Sequence, residues 1–221
     1  MDPREDEKRA AAQAAAVLVE EGMRLGLGTG STVAHFLPAL ARRELDIVCV
    51  ATSQGTEEAA RALGLQLQPF DVMERLDLAV DGADQVAPDL WLVKGRGGAH
   101  TREKVVASAA DRFVVIVSPD KLVERLGPPV PLDVLPFGLA STLRLLSSLG
   151  DVERRDAEQT ADGNVIVDYL GSVADPRHLS AVLQAIPGVV GHGLFEPSLV
   201  SEVLVGKADG TVDRLVPADR Y

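Results

Sequence analysis

The sequence predicts an α/β protein: a Rossmann-like parallel sheet with helices on both faces, plus a small inserted α+β domain of ferredoxin-like type. Three observations point there. Over about the first 120 residues, short apolar runs rich in β-branched residues alternate with helical stretches, the pattern of successive βαβ units. From about 130 to 195 the rhythm becomes β-α-β-β-α-β, the order of a split βαβ unit. Hydrophobic residues make up 46% of the 221 but aromatics only 4%, so the core is built from Ala, Val, Leu and Ile, which suits helices stacked on a sheet.

In order, residues 5–21 read as an Ala-rich helix with acids in its first turn and Gly22 at its end. Residues 23–27 form a short buried strand, broken by a glycine turn that opens a helix over 31–43. A β-branched strand at 46–51 precedes a helix at 57–63 stopped by Gly64. Strands at 76–80 and 91–94, a helix at 101–111 and a strand at 113–117 complete the first region. The motif Leu126-Gly127-Pro128-Pro129-Val130-Pro131 marks the boundary. Beyond it come a strand (130–135), a helix (138–149), two strands (152–156 and 164–170), a helix (176–186) and a strand (189–195). Residues 202–207 and 211–216 read as strands returning to the first domain. The expected division is therefore 1–128 with 202–221 as one α/β domain, and 129–201 as an insertion serving as a lid or subunit contact.

Charge and cysteine usage exclude several classes. A net charge of −11 repels polyanions, so nucleic acid is not an expected partner, although local cations and helix N-termini can still hold one phosphate. The lone Cys49 lies in an apolar strand and reads as a buried thiol; no C-x-x-C zinc spacing occurs. The charged start is unlike a signal peptide, and no apolar run approaches the roughly 18 residues of a membrane span. The expected setting is the cytoplasm, without membrane contact.

In open parallel sheets ligands bind at the carboxyl ends of strands, and three polar motifs follow predicted strands. Gly28-Thr29-Gly30-Ser31-Thr32 is neither a Walker A motif nor a full dinucleotide fingerprint. Its glycines, hydroxyls and helix-start N–H groups suit an anion; an ordinary βα turn with Ser31 or Thr32 capping the helix is the other reading. Asp81-Gly82-Ala83-Asp84 sets two carboxylates at a strand end, where they could move protons, bind sugar hydroxyls or shape a turn; no third acid or His completes a Mg²⁺ set. In the third motif, Lys94-Gly95-Arg96-Gly97-Gly98-Ala99-His100-Thr101-Arg102-Glu103, a lysine and three glycines precede a helix. Loop N–H groups at Gly95, Gly97 and Gly98 can line an oxyanion site, and Lys94 offers a cation for developing enolate charge. Glu103 either complements the helix dipole or acts as a base near a substrate C–H. Lys121 stands at another sheet end, and Lys8 on the first helix. Of the four histidines only His100 adjoins a motif; His35 reads as a packing or surface residue. No G-x-S-x-G elbow suggests a serine hydrolase.

Together with Thr52-Ser53-Gln54, Asp120-Lys121 and, in the small domain, Pro131-Leu132-Asp133-Val134-Leu135-Pro136-Phe137, Asp162-Gly163-Asn164, Ile186-Pro187-Gly188 and Gly193-Leu194-Phe195, these motifs resemble the ribose-5-phosphate isomerases of type A. The resemblance implies an intramolecular oxidoreductase of the non-oxidative pentose phosphate pathway. It would interconvert ribose 5-phosphate and ribulose 5-phosphate through an enediolate, with no metal or cofactor. It further implies Glu103 as the base, Lys94 as stabiliser of the enediolate, Asp81 assisting ring opening or proton transfer at oxygen, and Asp84 holding hydroxyls. The phosphate would be held by Thr29, Gly30, Ser31 and Thr32 with Lys8 and Lys121, in a homodimer or homotetramer. Arg96 stands where the family usually has glycine, either turned to solvent or reaching towards the substrate or an acid; His100 replaces a commonly aliphatic residue, and Ala161-Asp162 a usual Asp-Asn. The rival is a sugar-phosphate sensor on the same fold. The enzyme is expected because Lys94 and Glu103 are both present and no stretch ahead of the first helix would build a DNA-binding module.

Overall fold

The computed structural model describes residues 3–217. In chain order its elements begin with α1 (Pro3–Val17), β1 (Arg24–Leu27), α2 (Ser31–Ala41), β2 (Val48–Ala51), α3 (Gln54–Ala62), β3 (Gln66–Leu67) and β4 (Leu76–Asp81). Next come β5 (Gln85–Val86), β6 (Leu92–Val93), α4 (His100–Ala109), β7 (Ala110–Val117) and β8 (Val130–Val134). The remainder is α5 (Leu139–Ser147), β9 (Val152–Arg154), β10 (Val165–Tyr169), α6 (Pro176–Ala185), β11 (Val189–His192), β12 (Leu194–Phe195), β13 (Glu202–Gly206) and β14 (Val212–Leu215). The chain forms two units. The first runs to Ala83, resumes for Arg102–Leu122 and again from Pro197; the second comprises Asp84–Thr101 and Val123–Glu196.

The first unit is built on a seven-stranded sheet of order β14-β13-β7-β4-β1-β2-β3, parallel throughout except for β14. Parallel strands are covered on both faces, which is why 78–80 and 113–117 read as unbroken apolar runs. On one face Leu25, Leu27, Cys49, Leu78, Val80, Val114 and Ile116 pack with Phe36 of α2 and the small side chains Ala11, Ala12, Ala15 and Ala16 of α1. On the other, Gly26 makes room for α4: a Cβ there would stand 2.4 Å from Cγ1 of Val106. Helix α1 ends at Val17, short of the expected 21. The Arg43 guanidinium takes the carbonyls of Ala16 and Val19, and Gly22, at φ +78°, donates to the Asp46 carbonyl at 2.9 Å. Cys49 is fully buried, and burial pushes its thiol up to about 12, so it is a packing residue as expected.

The second unit contains a four-stranded antiparallel sheet, β11-β8-β10-β9, with α5 and α6. In the order of its own β-α-β-β-α-β run this is 4-1-3-2, a ferredoxin-like arrangement. Leu132, Val134, Val165, Val167 and Tyr169 share a core with Leu146, Leu179 and Leu183 from the helices. A three-stranded antiparallel sheet, β12-β6-β5, belongs to the same unit. This corrects two expectations. The strand expected at 91–94 lies in this small sheet, so only two of the three polar motifs follow strands of the parallel sheet. The strand expected at 189–195 breaks into β11 and β12 at Gly193, whose N–H donates to the Pro131 carbonyl (2.7 Å) and whose carbonyl accepts from Lys94 N–H (2.8 Å). A Cβ at Gly193 would lie 2.1 Å from the Lys94 carbonyl oxygen, so only glycine allows the chain to change sheets there. Among the described residues no helix is long and apolar enough to cross a membrane.

Candidate active site

In the first unit, β1 and β4 are parallel neighbours, pairing Leu27 with Val80, so the turn after β1 meets the end of β4. Asp81 is the last residue of β4 and 3% exposed. Its Oδ1 accepts from the N–H groups of Thr29 (3.0 Å) and Gly82 (2.7 Å). Gly28 is dictated by that carboxylate: a Cβ would sit 2.0 Å from Asp81 Cγ. Thr29 Oγ1 is the centre of a hydroxyl cluster, 2.9 Å from Thr52 Oγ1, 2.8 Å from Ser53 Oγ and 3.4 Å from Thr56 Oγ1. Thr56 Oγ1 in turn donates to the Gly28 carbonyl at 2.8 Å, and Thr52 Oγ1 to that of Leu27 at 3.2 Å. Ser53 also caps α3 by accepting from Thr56 N–H at 3.2 Å. The turn is thus held from beneath by buried hydroxyls.

Above it, Gly30 opens α2 at φ +122° with no side chain capping the helix. Ser31 and Thr32 lie inside α2, so the reading of either as an ordinary cap does not hold. The first N–H groups of α2 lie at its open, electropositive end, where an anion binds favourably. Glu103 stands in the first turn of α4 and is 5% exposed. Lys121 ends a short 3₁₀ turn, Pro119–Lys121, with Nζ 3.7 Å from Asp120 Oδ2. The Ser118 hydroxyl, seconded by Lys121 and Arg4, holds the Asp120 carboxyl below the usual range. Lys8 Nζ lies 2.7 Å from Glu5 Oε1, and Glu5 Oε2 2.8 Å from His35 Nε2. His35 is therefore part of a surface ion cluster with Lys8, and the bonds from Lys8 and His35 lower the Glu5 carboxyl.

In the second unit, Lys94 follows β6 and is 3% exposed, its Nζ 5.5 Å from the centroid of the Phe195 ring. The glycine loop begins at Gly95 (φ +111°), and Gly98 N–H closes a turn on the Gly95 carbonyl at 3.0 Å. Asp84 Oδ2 accepts from Arg96 N–H at 2.9 Å, so this carboxylate braces the loop. Of the two readings for Arg96, the structure has its side chain exposed; its backbone does the bonding. Gly97 is exposed and His100 fully buried at the start of α4. Thr101 Oγ1 donates to Asp133 Oδ2 at 2.6 Å. Burial raises the Asp133 carboxyl above its usual range, partly opposed by bonds from Thr101, Asn164 and Thr160. Arg155 Nη1 donates to the carbonyls of Gly95 (3.1 Å) and Arg96 (2.9 Å).

Sequence reasoning did not find Arg155, its partner Asp168, the Thr101–Asp133 pair or Thr56. Thr56 carries a weak signal, two residues past a strand-to-helix junction. Arg155 carries none, standing about 60 residues from the loop it binds. Among the described residues no group of three or more His, Cys, Asp or Glu could hold a metal ion.

These features define the class: an α/β protein with an anion-type turn on a parallel sheet and buried acid–base side chains in both units. Comparison with known proteins narrows it. The family profile described as ribose 5-phosphate isomerase A (phosphoriboisomerase A) matches residues 48–210. A ribose-5-phosphate isomerase A of Rhodopseudomonas palustris (strain HaA2) is 44% identical over 230 residues, 96% of this chain and 99% of the relative. The crystal structure of ribose 5-phosphate isomerase A from Neisseria gonorrhoeae superposes with a TM-score of 0.94 at 32% identity, covering 99% of this chain and 100% of that one. A D-ribose-5-phosphate isomerase in complex with phospho-erythronic acid gives 0.90 at 37% identity, covering 98% and 100%. The chain belongs to the ribose 5-phosphate isomerase A family.

Proposed function

We propose that the protein interconverts D-ribose 5-phosphate and D-ribulose 5-phosphate through an enediolate. The observation that carries this reading is the match to ribose-5-phosphate isomerase A proteins over 96% of the chain. The burial of the three chemical groups supports it: Asp81, Lys94 and Glu103 are 3%, 3% and 5% exposed.

The roles follow from the chemistry. Glu103 takes the C2 proton of the open-chain aldose; the C–H electron pair forms the C1–C2 double bond, and the former carbonyl pair comes to rest on O1. A proton beside a carbonyl is barely acidic until that oxygen's charge is stabilised. Lys94 and the N–H groups of Gly95 and Gly97 supply the stabilisation, while the Gly98 N–H, closed on the Gly95 carbonyl, holds the turn that presents them. Glu103 then returns the proton to C1 while the O2 proton passes to O1, leaving a ketone at C2 and a hydroxyl at C1. Glu103 is largely shielded from bulk water, so water competes little for the proton it carries between the two carbons. Asp81 serves ring opening or proton transfer at oxygen, and Asp84 holds hydroxyls. The turn Thr29–Gly30–Ser31–Thr32 receives the phosphate, with Lys121 as cation; Lys8 joins it if it leaves Glu5. Aldose and ketose have the same overall oxidation level, so none of these roles calls for an electron carrier. The protein works in the cytoplasm as a homodimer or homotetramer, as the family resemblance suggests.

The test is Glu103→Gln assayed in both directions. Turnover is expected to fall by roughly 10³-fold or more, the scale of a positioned base together with its exact reach, while ribose 5-phosphate still binds. Near-normal turnover would sink the assignment. Retained binding without turnover in the unmodified protein would instead favour a sugar-phosphate sensor.

A further inference from the structure

A loop of three glycines is a poor oxyanion site unless something fixes its peptide groups. Each glycine lets the flanking peptide planes rotate at little cost, and a rotated peptide presents a carbonyl oxygen where an N–H should be. The loop 95–98 has such a device. The guanidinium of Arg155 is held by Asp168 through two parallel bonds, Nε to Oδ2 at 2.9 Å and Nη2 to Oδ1. Its remaining nitrogen, Nη1, donates to both the Gly95 and the Arg96 carbonyls. Arg155 is itself anchored by its N–H to the Ile166 carbonyl at 3.0 Å, in register with the β9–β10 ladder.

The consequence follows from peptide geometry. The C=O and N–H of a trans peptide point in opposite directions. The peptide joining Gly95 to Arg96 is therefore gripped at both ends, its carbonyl by Arg155 and its N–H by Asp84 Oδ2. In the next peptide Arg155 takes the Arg96 carbonyl, so the Gly97 N–H must point away from the guanidinium. We propose that Arg155, fixed by Asp168, is a positioning residue for the isomerisation: it orients the two peptides flanking Arg96 so that the loop presents the Gly97 N–H to the developing oxyanion. This rests on the enediolate reading given above. Lysine cannot replace it. One ammonium cannot clasp both carboxylate oxygens and two carbonyls at once, whereas a planar fork of five donors can.

The experiment uses the full chain with Arg155→Ala, Arg155→Lys and Asp168→Asn. For Arg155→Ala, kcat on ribose 5-phosphate is expected to fall roughly ten- to a hundredfold, the cost of misplaced oxyanion donors, with KM changed less than about threefold. The affinity for phospho-erythronic acid, whose carboxylate carries enediolate-like charge, is expected to weaken by a similar factor. Free guanidinium at sub-denaturing concentration should restore part of kcat in Arg155→Ala and leave the wild type unchanged. Arg155→Lys should behave like Arg155→Ala. If Arg155→Ala does not fold, Asp168→Asn, which keeps the guanidinium but weakens its grip, should show the same split at roughly threefold to tenfold. A folded Arg155→Ala with kcat within about twofold of wild type overturns the proposal. So does a loss shared equally by kcat and KM that guanidinium does not restore. An inactive wild type removes the isomerase reading and this one together; an active wild type with unaffected variants removes this one alone.

Discussion

The turn proposed to receive the phosphate, in the first unit, and the glycine loop of the second are both glycine-rich, yet they are held in different ways. The turn is fixed by its immediate neighbours. Asp81 on the adjacent strand takes the Thr29 N–H, and Thr52, Ser53 and Thr56 from the next strand–helix junction form the hydroxyl cluster beneath. The loop is held partly from nearby, by Asp84 on Arg96 N–H and by its own Gly98–Gly95 bond, and partly from other strands of its unit, by Gly193 on Lys94 and Arg155 on two carbonyls. A turn that binds a ready-made anion needs only open N–H groups. A loop that must meet a charge existing only along the reaction path needs its donors fixed beforehand, since only interactions stronger in the transition state accelerate the step. Changes in the turn should therefore act mainly through KM, and changes in the loop mainly through kcat.

Lys94→Met tests this contrast where the expected effect is largest. It removes the buried cation while keeping an apolar stem beside Phe195. We expect kcat to drop by roughly 10²–10³-fold, as for loss of an oxyanion donor, with KM nearly unchanged; steady-state kinetics that show the loss mainly in KM would break the comparison. Gly28→Ala sharpens it from the other side. With a Cβ 2.0 Å from Asp81 Cγ, either the turn or the carboxylate must move. Because Asp81 is also assigned a chemical role, this is the one change in the turn expected to lower kcat, by about 100-fold for a displacement near 1 Å. Normal kcat with a raised KM would show Asp81 to be structural only.

The same contrast explains what the sequence made legible. The turn announces itself because its own residues carry the signal, glycines and hydroxyls at a strand-to-helix junction, even though the groups that hold it stand 23 to 52 residues away. The parallel sheet was readable from apolar runs, and the split βαβ unit from its element order. The identity of Lys94, Glu103 and the glycines was visible too. Their scaffolding was not. β6 is two residues long, and its placement in the small antiparallel sheet depends on β12, about 100 residues away, so nothing in 91–94 shows that it avoids the parallel sheet. Arg155 lies in a charged stretch, Glu153-Arg154-Arg155-Asp156, where any of the charges could have been solvated. Only strand register, which aligns β9 with β10 and so brings Asp168 to the guanidinium, singles it out. Long-range pairing selects those residues, and local periodicity carries no trace of it.

Thr29→Val gives a smaller effect and a direct reading of the turn. Valine keeps the backbone N–H that Asp81 accepts but removes the hydroxyl at the centre of the cluster. KM for ribose 5-phosphate should rise about tenfold, the scale of one to two hydrogen bonds, with kcat within about threefold of wild type. A kcat loss larger than the KM gain would show that the turn, too, is tuned to the transition state.

The smallest expected effect lies behind the loop, at Asp133, and its sign separates a buried support from an exposed one. Burial raises the folded-state pKa of this carboxyl above its unfolded value near 3.8. Between those two values the unfolded chain releases the proton first, so the ionised form costs folding stability above the raised pKa, and the cost is relieved as pH falls through it. Asp133→Asn has no such charge and can still accept from Thr101 Oγ1. At neutral pH the two proteins should melt within about 4 °C of each other, the shift expected for roughly 1 kcal/mol in a chain of this size. On acidification towards the unfolded value near 3.8 the difference should move in favour of the wild type. Thermal unfolding at both values checks this, and a difference that stays constant or moves towards the variant would mean that the Thr101, Asn164 and Thr160 bonds outweigh burial, leaving the charged carboxylate as a true anchor for the start of α4.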